Sequence, residues 1–123
     1  MLTFPRPAAL LSMNDRHHWR KRAVLVKAWR MGASACIRVD RNLAPLGPSI
    51  VAVRLPVRDS RRRDPHNYYP TVKAIVDGLV DAGLWPDDTP EYVTTVEPVL
   101  VVDRAPMPQV VVTITPRTVE VES

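Results

Sequence analysis

Cysteine is nearly missing from this chain: one residue, Cys36, in 123. A single thiol excludes an internal disulfide and a cysteine zinc site, and it fits a reducing cytosol. Cys36 reads as a small buried side chain on a helix. Long apolar runs are missing too. No stretch approaches the roughly 20 residues that cross a membrane. The first residues also lack the charged-then-apolar layout of a secretion signal. The expectation is a cytoplasmic protein with no membrane partner. There is no internal repeat and no long linker, so residues 1–123 read as one domain with a modest core.

Proline is in excess: thirteen residues, about twice ordinary usage. The prolines sit near the ends of expected elements, which implies short elements joined by stiff turns. The net charge of +4 hides a split. Residues 1–63 hold 14 Lys/Arg against 3 Asp/Glu, a net +11; residues 64–123 hold 3 against 10, a net −7. A basic half invites a polyanion and a cluster of acids suits a metal. Pairing of the two halves with each other, within the fold or in a dimer, explains the split equally well.

Hydrophobic spacing predicts the elements. Leu2 to Pro5 is a short edge strand. Ser12 to Asp15 offers helix-capping chemistry. From about Asp15 to Ile37, Trp19, Ala23, Val26, Trp29, Ala33 and Ile37 recur every three or four residues and form a core stripe, with Arg20, Lys21, Lys27 and Arg30 on the outer face. Asn42 to Pro48 is a turn, and Ser49 to Val57 is an apolar, β-branched strand. A polar loop, Arg58 to Asn67, leads to a second helix that starts at Asn67 or Pro70 and ends at Ala82, capped by Asn67 and closed by Gly83. Tyr92 to Val102 and Gln109 to Thr115 read as strands joined by a short loop into an antiparallel hairpin. Pro98 marks a bulge or an edge. The tail from Pro116 reads as loose. The order β-α-β-α-β-β predicts an α+β fold, with two main helices on a small mixed sheet.

Residues 58–88 carry the chemistry. Arg58, Arg61, Arg62 and Arg63 precede Asp64; Lys73 lies on the helix; Asp87 and Asp88 follow it. Arginines hold phosphates, paired carboxylates hold a divalent metal, and a lysine can neutralise charge that develops on a phosphoryl group. Asp64 and Asp88 are the strongest pair, one before the helix and one after it. Magnesium accepts two carboxylates completed by water and phosphate oxygens. Each aspartate also has a purely structural use, as a cap. His66 is a candidate metal ligand or general base, and an imidazole would favour manganese over magnesium. Lys73 has Asp77 and Asp81 at successive i+4 spacings, which also describes a ladder of exposed ion pairs. Asn14, Arg16 and Trp19 could contact DNA, although Trp19 fits the core stripe better. An adaptor protein would have no use for acids set behind arginines.

At this segment the chain resembles the RusA-like family of Holliday-junction resolvases of bacteria and their phages. That family's pattern is a basic run into Asp-x-Asp-Asn, a helix with a lysine, then aromatic-x-Asp-Asp. Here it reads Arg61-Arg62-Arg63-Asp64-Pro65-His66-Asn67, then Lys73 to Asp77, then Trp85-Pro86-Asp87-Asp88. Ser12 to Arg16 also looks like the family's N-terminal Ser/Asn/Arg segment. The resemblance implies metal-binding roles for Asp64 and Asp88 and a catalytic role for Lys73. Two departures stand out: His66 replaces the family's second acid, and about three residues are inserted around Tyr68-Tyr69-Pro70. Either His66 or Asp87 would then complete the metal site. The implied protein is a magnesium-dependent endonuclease (manganese as the alternative), acting as a homodimer in a bacterial or phage-infected cell. It would nick two symmetric strands of a four-way DNA junction and leave 5′-phosphates. Asn14, Arg16, Arg20, Lys21, Arg58 and Arg61 to Arg63 would bind the DNA. Two alternatives share this chemistry: a branched-DNA-binding protein with reduced or lost cleavage, and a nuclease for other branched DNA.

Overall fold

A computed structural model describes residues 1–14, 18–39 and 45–117. The elements run β1 (Leu2–Pro5), α1 (Trp19–Val39), β2 (Ser49–Val57), a 3₁₀ turn (Pro65–Tyr68), α2 (Tyr69–Asp81), β3 (Val93–Thr95), β4 (Val99–Val102) and β5 (Gln109–Pro116). The fold is α+β, with a five-stranded mixed sheet and two main helices. Among the described residues no helix is long and apolar enough to cross a membrane.

β2 is the spine of the sheet. β5 pairs with it antiparallel on one side, and β1 pairs antiparallel with β5. On the other side β3 and β4 follow one another along β2, both parallel to it. Parallel neighbours need a crossover, and α2 supplies it. The register shows what Pro98 does. β2 advances three residues from Val51 to Arg54 while its partner advances four from Thr95 to Val99. The extra residue makes a bulge that splits the expected strand in two.

The expected hairpin between residues 92–102 and 109–115 does not form. β4 lies beside β2, and the next segment wraps round the end of β2 to reach its opposite side. Asp103 N–H donates to Val57 O at 2.8 Å and Arg104 Nε to Arg58 O at 3.1 Å on the way. A short loop permits a hairpin but does not require one. The open side of β2, with β1 also needing a partner, offers β5 two ladders instead of one.

Val51, Val53 and Leu55 on β2 alternate with Ala52 and Arg54, which are partly or fully exposed. Val110 and Val112 on β5 and Leu2 and Phe4 on β1 repeat the pattern. One face of the sheet is therefore buried, and it carries the core with Trp29, Ile75 and Leu79 from the helices. The helices approach closely at Gly78. A Cβ placed there would sit 2.3 Å from the carbonyl oxygen of Arg30.

Helix α1 buries less than its stripe predicts. Trp29, Ala33 and Ile37 are core, but Trp19 is 68% exposed and Ala23 is exposed. No described residue of α1 before Trp29 is fully buried, and only Leu25 and Val26 reach the margin of the core. Trp19 instead stacks under the Arg20 guanidinium, 5.1 Å from ring centroid to Cζ. Cys36 is half-buried, its Sγ bonded to Ala33 O, and burial pushes its thiol pKa up. Asp15, Arg16 and His17, including the expected cap, lie outside the described residues, as does the tail beyond Arg117.

Candidate functional site

Helix α2 turns Val72, Ile75, Val76 and Leu79 inward, which leaves Lys73 on the outer face. Pro70 sits in the first turn, where its missing N–H costs nothing. At the other end Gly83 takes φ +92°, a region that favours glycine. Its N–H donates to Val80 O at 2.9 Å, and Leu84 N–H to Leu79 O at 3.2 Å. This is a Schellman closure, with Leu84 packed into the core beside Leu79. Trp85 follows, buried, its Nε1 donating to Gly47 O at 3.1 Å and to Ser49 Oγ at 3.3 Å. Anchored in this way, the chain doubles back and brings Asp87 and Asp88 alongside the helix.

Lys73 is the meeting point. Its Nζ donates to Asp88 Oδ2 at 2.5 Å and to Asp77 Oδ1 at 2.9 Å. The bond from Lys73 holds the Asp88 carboxyl below the usual carboxylate range. Asp88, and after it Asp77, push the lysine up. Asp88 is thus ionised, and Lys73 charged, across the neutral range. Asp87 is exposed and accepts from the Asp88 N–H at 2.7 Å. Of the expected ladder, Asp81 has a different partner: Arg30 of α1 grips it with two bonds, at 2.9 and 3.1 Å. An open groove of about 420 Å³ runs past Lys73 and Asp88, walled by Met13, Tyr69, Val76 and Val93.

The loop carrying Asp88 is clamped from the far end of the sheet. Arg117, just after β5, donates to Pro90 O at 2.8 Å, Glu91 O at 2.6 Å and Thr94 Oγ1 at 2.5 Å. The sequence offered no sign of this contact, since a lone arginine near the end of a chain reads as solvated.

Asp64 is exposed and caps the 3₁₀ turn, its Oδ1 accepting from the His66 N–H at 3.1 Å. Asn67 does not cap; α2 starts from Tyr68 with no side-chain cap bond. The 3₁₀ turn, with Pro65 in its first positions, moves the capping residue three positions upstream. His66 is exposed and packs edge-on against Tyr69, with ring centroids 5.2 Å apart. Among the described residues, no three of histidine, cysteine, aspartate or glutamate gather into a group that could hold a metal ion. Asp64, His66, Asp87 and Asp88 are therefore not assembled as one ready-made cage. Asp64 and Asp88 each offer carboxylate oxygen, the donor type that magnesium takes.

The arginines divide by role. Arg61 and Arg62 are exposed, Arg61 loosely facing Asp59 at 3.9 Å. Arg63 is turned in: it donates to Asp59 O at 2.9 Å and Arg61 O at 3.2 Å, and pairs with Asp59 Oδ1 at 2.8 Å. Its side chain is 12% exposed, so it staples the loop. Arg58, Arg61 and Arg63 line an open cleft that Ser12, Asn14 and Arg6 share. The expected DNA contact Asn14 thus joins the arginine loop, and so does Arg6, which no sequence motif marked. Arg20 and Lys21 are exposed on the first turn of α1 and are not among the residues lining that cleft, and Arg16 lies outside the described residues. A larger groove, about 750 Å³, runs along α1 from Trp19 to Ala35 and contains none of these groups.

The Ser12–Asn14 segment links the two features. Met13 N–H donates to Asn67 O at 2.8 Å. Thr71 Oγ1 both accepts from Leu11 N–H at 2.8 Å and donates to Leu11 O at 2.7 Å, fully buried. Pinned to α2 in this way, Met13 lines the Lys73 groove and its neighbour Asn14 lines the basic cleft. No protein-family model matches the chain, and it has no significant match among curated proteins.

Proposed function

We propose that the protein is a metal-dependent endonuclease that nicks branched DNA, with the four-way junction as its substrate and a homodimer as its working form. One observation carries the reading: a lysine held between two carboxylates lies beside an arginine-lined cleft, the two joined through consecutive residues Met13 and Asn14. The cleft residues would hold the phosphate backbone, which dominates affinity for DNA. Lys73 would neutralise charge developing on the phosphoryl oxygens. Asp88 and Asp64 would hold a divalent ion, which when bound activates water and polarises the phosphate. Asp64 keeps one oxygen on its capping bond, and Asp88 would exchange part of its bond to Lys73 for the ion.

A second reading, a branched-DNA-binding protein without cleavage, has one observation in its favour: no three ligating side chains gather among the described residues. A nicking assay separates the two. A synthetic four-way junction, a fork and a linear duplex are incubated with magnesium or with manganese. The nuclease reading expects metal-dependent nicks on the junction, lost in Asp88→Asn and Asp64→Asn while DNA binding persists. His66→Asp is expected to raise magnesium-dependent nicking. Binding without nicks under either metal would leave the second reading standing, and preference for the fork would reassign the substrate.

A further inference from the structure

Arg6 follows β1 and carries no motif. Its position results from a mismatch in strand length. β5 stops pairing with β2 at Arg54↔Val111, while β2 runs on to Val57. The guanidinium of Arg6 takes the side of β2 that β5 leaves open. Nη1 donates to Pro56 O at 3.3 Å and Nε to Ala8 O at 2.9 Å. A guanidinium has five N–H donors, and these bonds use two of them. The group is half-buried, held from behind by carbonyl oxygens, at an open cleft of about 580 Å³.

The charges around that cleft do not balance. Arg6, Arg58, Arg61 and Arg63 line it against a single carboxylate, Asp59. Asp59 is already gripped by Arg63. Burial lowers the pKa of Arg6, and the positive charges of Arg58 and Arg63 lower it further. Gathering like charges partly out of water costs free energy, and an anion seated among them offsets that cost. Ser12, Asn14 and Tyr68 add neutral polar groups to the same wall.

We propose that this cleft seats one backbone phosphate of the DNA, with Arg6 as its principal donor and Arg63 as the staple that shapes the loop. The proposal deepens the DNA-binding reading and rests on it for the source of the phosphate. A backbone phosphate suits the site better than a free one. The cleft is open, and its lining residue Asn14 is next in sequence to Met13, which lines the groove at Lys73.

Two measurements on the full chain decide it. Inorganic phosphate titrated into ¹⁵N-labelled protein is expected to shift the Nε–Hε resonances of Arg6 and Arg58. Binding to a labelled four-way junction and to a linear duplex is then followed over a salt series. Arg6→Gln is expected to shallow the slope of log K against log salt by about one unit on both DNAs. An unchanged slope in a folded Arg6→Gln protein overturns the proposal. If that variant does not fold, the resonances decide, and shifts confined to arginines outside the cleft overturn it. Phosphate shifts without DNA binding would overturn the nucleic-acid source. A slope change without metal-dependent nicks would sink the nuclease reading and leave the phosphate seat supported.

Discussion

Lys73 holds two carboxylates at once, from its own helix and from the returning loop. The pair with Asp88 spans a definite pH window. The Asp88 carboxyl is depressed, so its contribution to stability is present above the ordinary aspartate pKa of about 3.9 and is lost as pH falls through the lower folded value. Lys73 is raised, so its contribution is complete below about 10.4 and is lost as pH rises through the higher folded value. The lysine side chain is 64% exposed and solvent screens the pair, so the effect on overall stability is small. The titration itself is the sharper readout. Lys73→Met is expected to move the Asp88 carboxyl, followed by ¹³C NMR, up towards the ordinary range. An unmoved Asp88 midpoint would mean that Asp87, not Lys73, sets its charge.

At the scale of elements, the closeness of α1 and α2 depends on Gly78. Alanine is the better helix former by about 1 kcal/mol, but its Cβ would meet a backbone oxygen at 2.3 Å that cannot swing aside. Steric cost wins: Gly78→Ala is expected to destabilise the fold by about 1–3 kcal/mol, read as a lowered midpoint in urea. An unchanged midpoint would mean that the helices part without penalty. The elements themselves were largely legible. β2 has the predicted bounds because its β-branched run is flanked by Pro48 and a polar loop. Gly83 closes α2 as expected because few other residues accept its positive φ. What sequence could not reveal was long-range. The partner of β5 depends on which side of β2 is empty, and the burial of Trp19 depends on how far the sheet extends under α1. The site divides likewise. Lys73, Asp88 and the arginine loop stand out by local spacing. Arg6 and Arg117 do not, because each acquires its role from strands that end elsewhere in the chain.

At the scale of the whole molecule, the outer edge beyond the bulge is apolar. Val96, Val99 and Val102 are 42%, 54% and 44% exposed. They lie on or beside β4, whose only recorded ladder among the described residues is with β2. An exposed apolar edge is an invitation to pairing. A dimer formed there would also bring two arginine loops together, since Val99 and Val102 share a groove with Arg61 to Arg63. Light scattering at micromolar concentration is expected to give twice the mass of one chain, and Val99→Lys to return it to one. A single-chain mass for the unmodified protein, with junction DNA present, would remove the homodimer from the reading.

The sheet order also governs how the chain can be made. β1 pairs with β5 alone, and β5 sits between β1 and β2. β1 therefore has no seat until the last of the described strands has followed it from the ribosome. Helix α2 and the β2–β3–β4 half can pair while synthesis continues, because their contacts are nearer in sequence. Residues 2–6 cannot, whereas Leu11 and Met13 already find their partners at Thr71 and Asn67. Arg6 is consequently among the last of the described groups to take its place, and the basic cleft stays incomplete until β5 has paired.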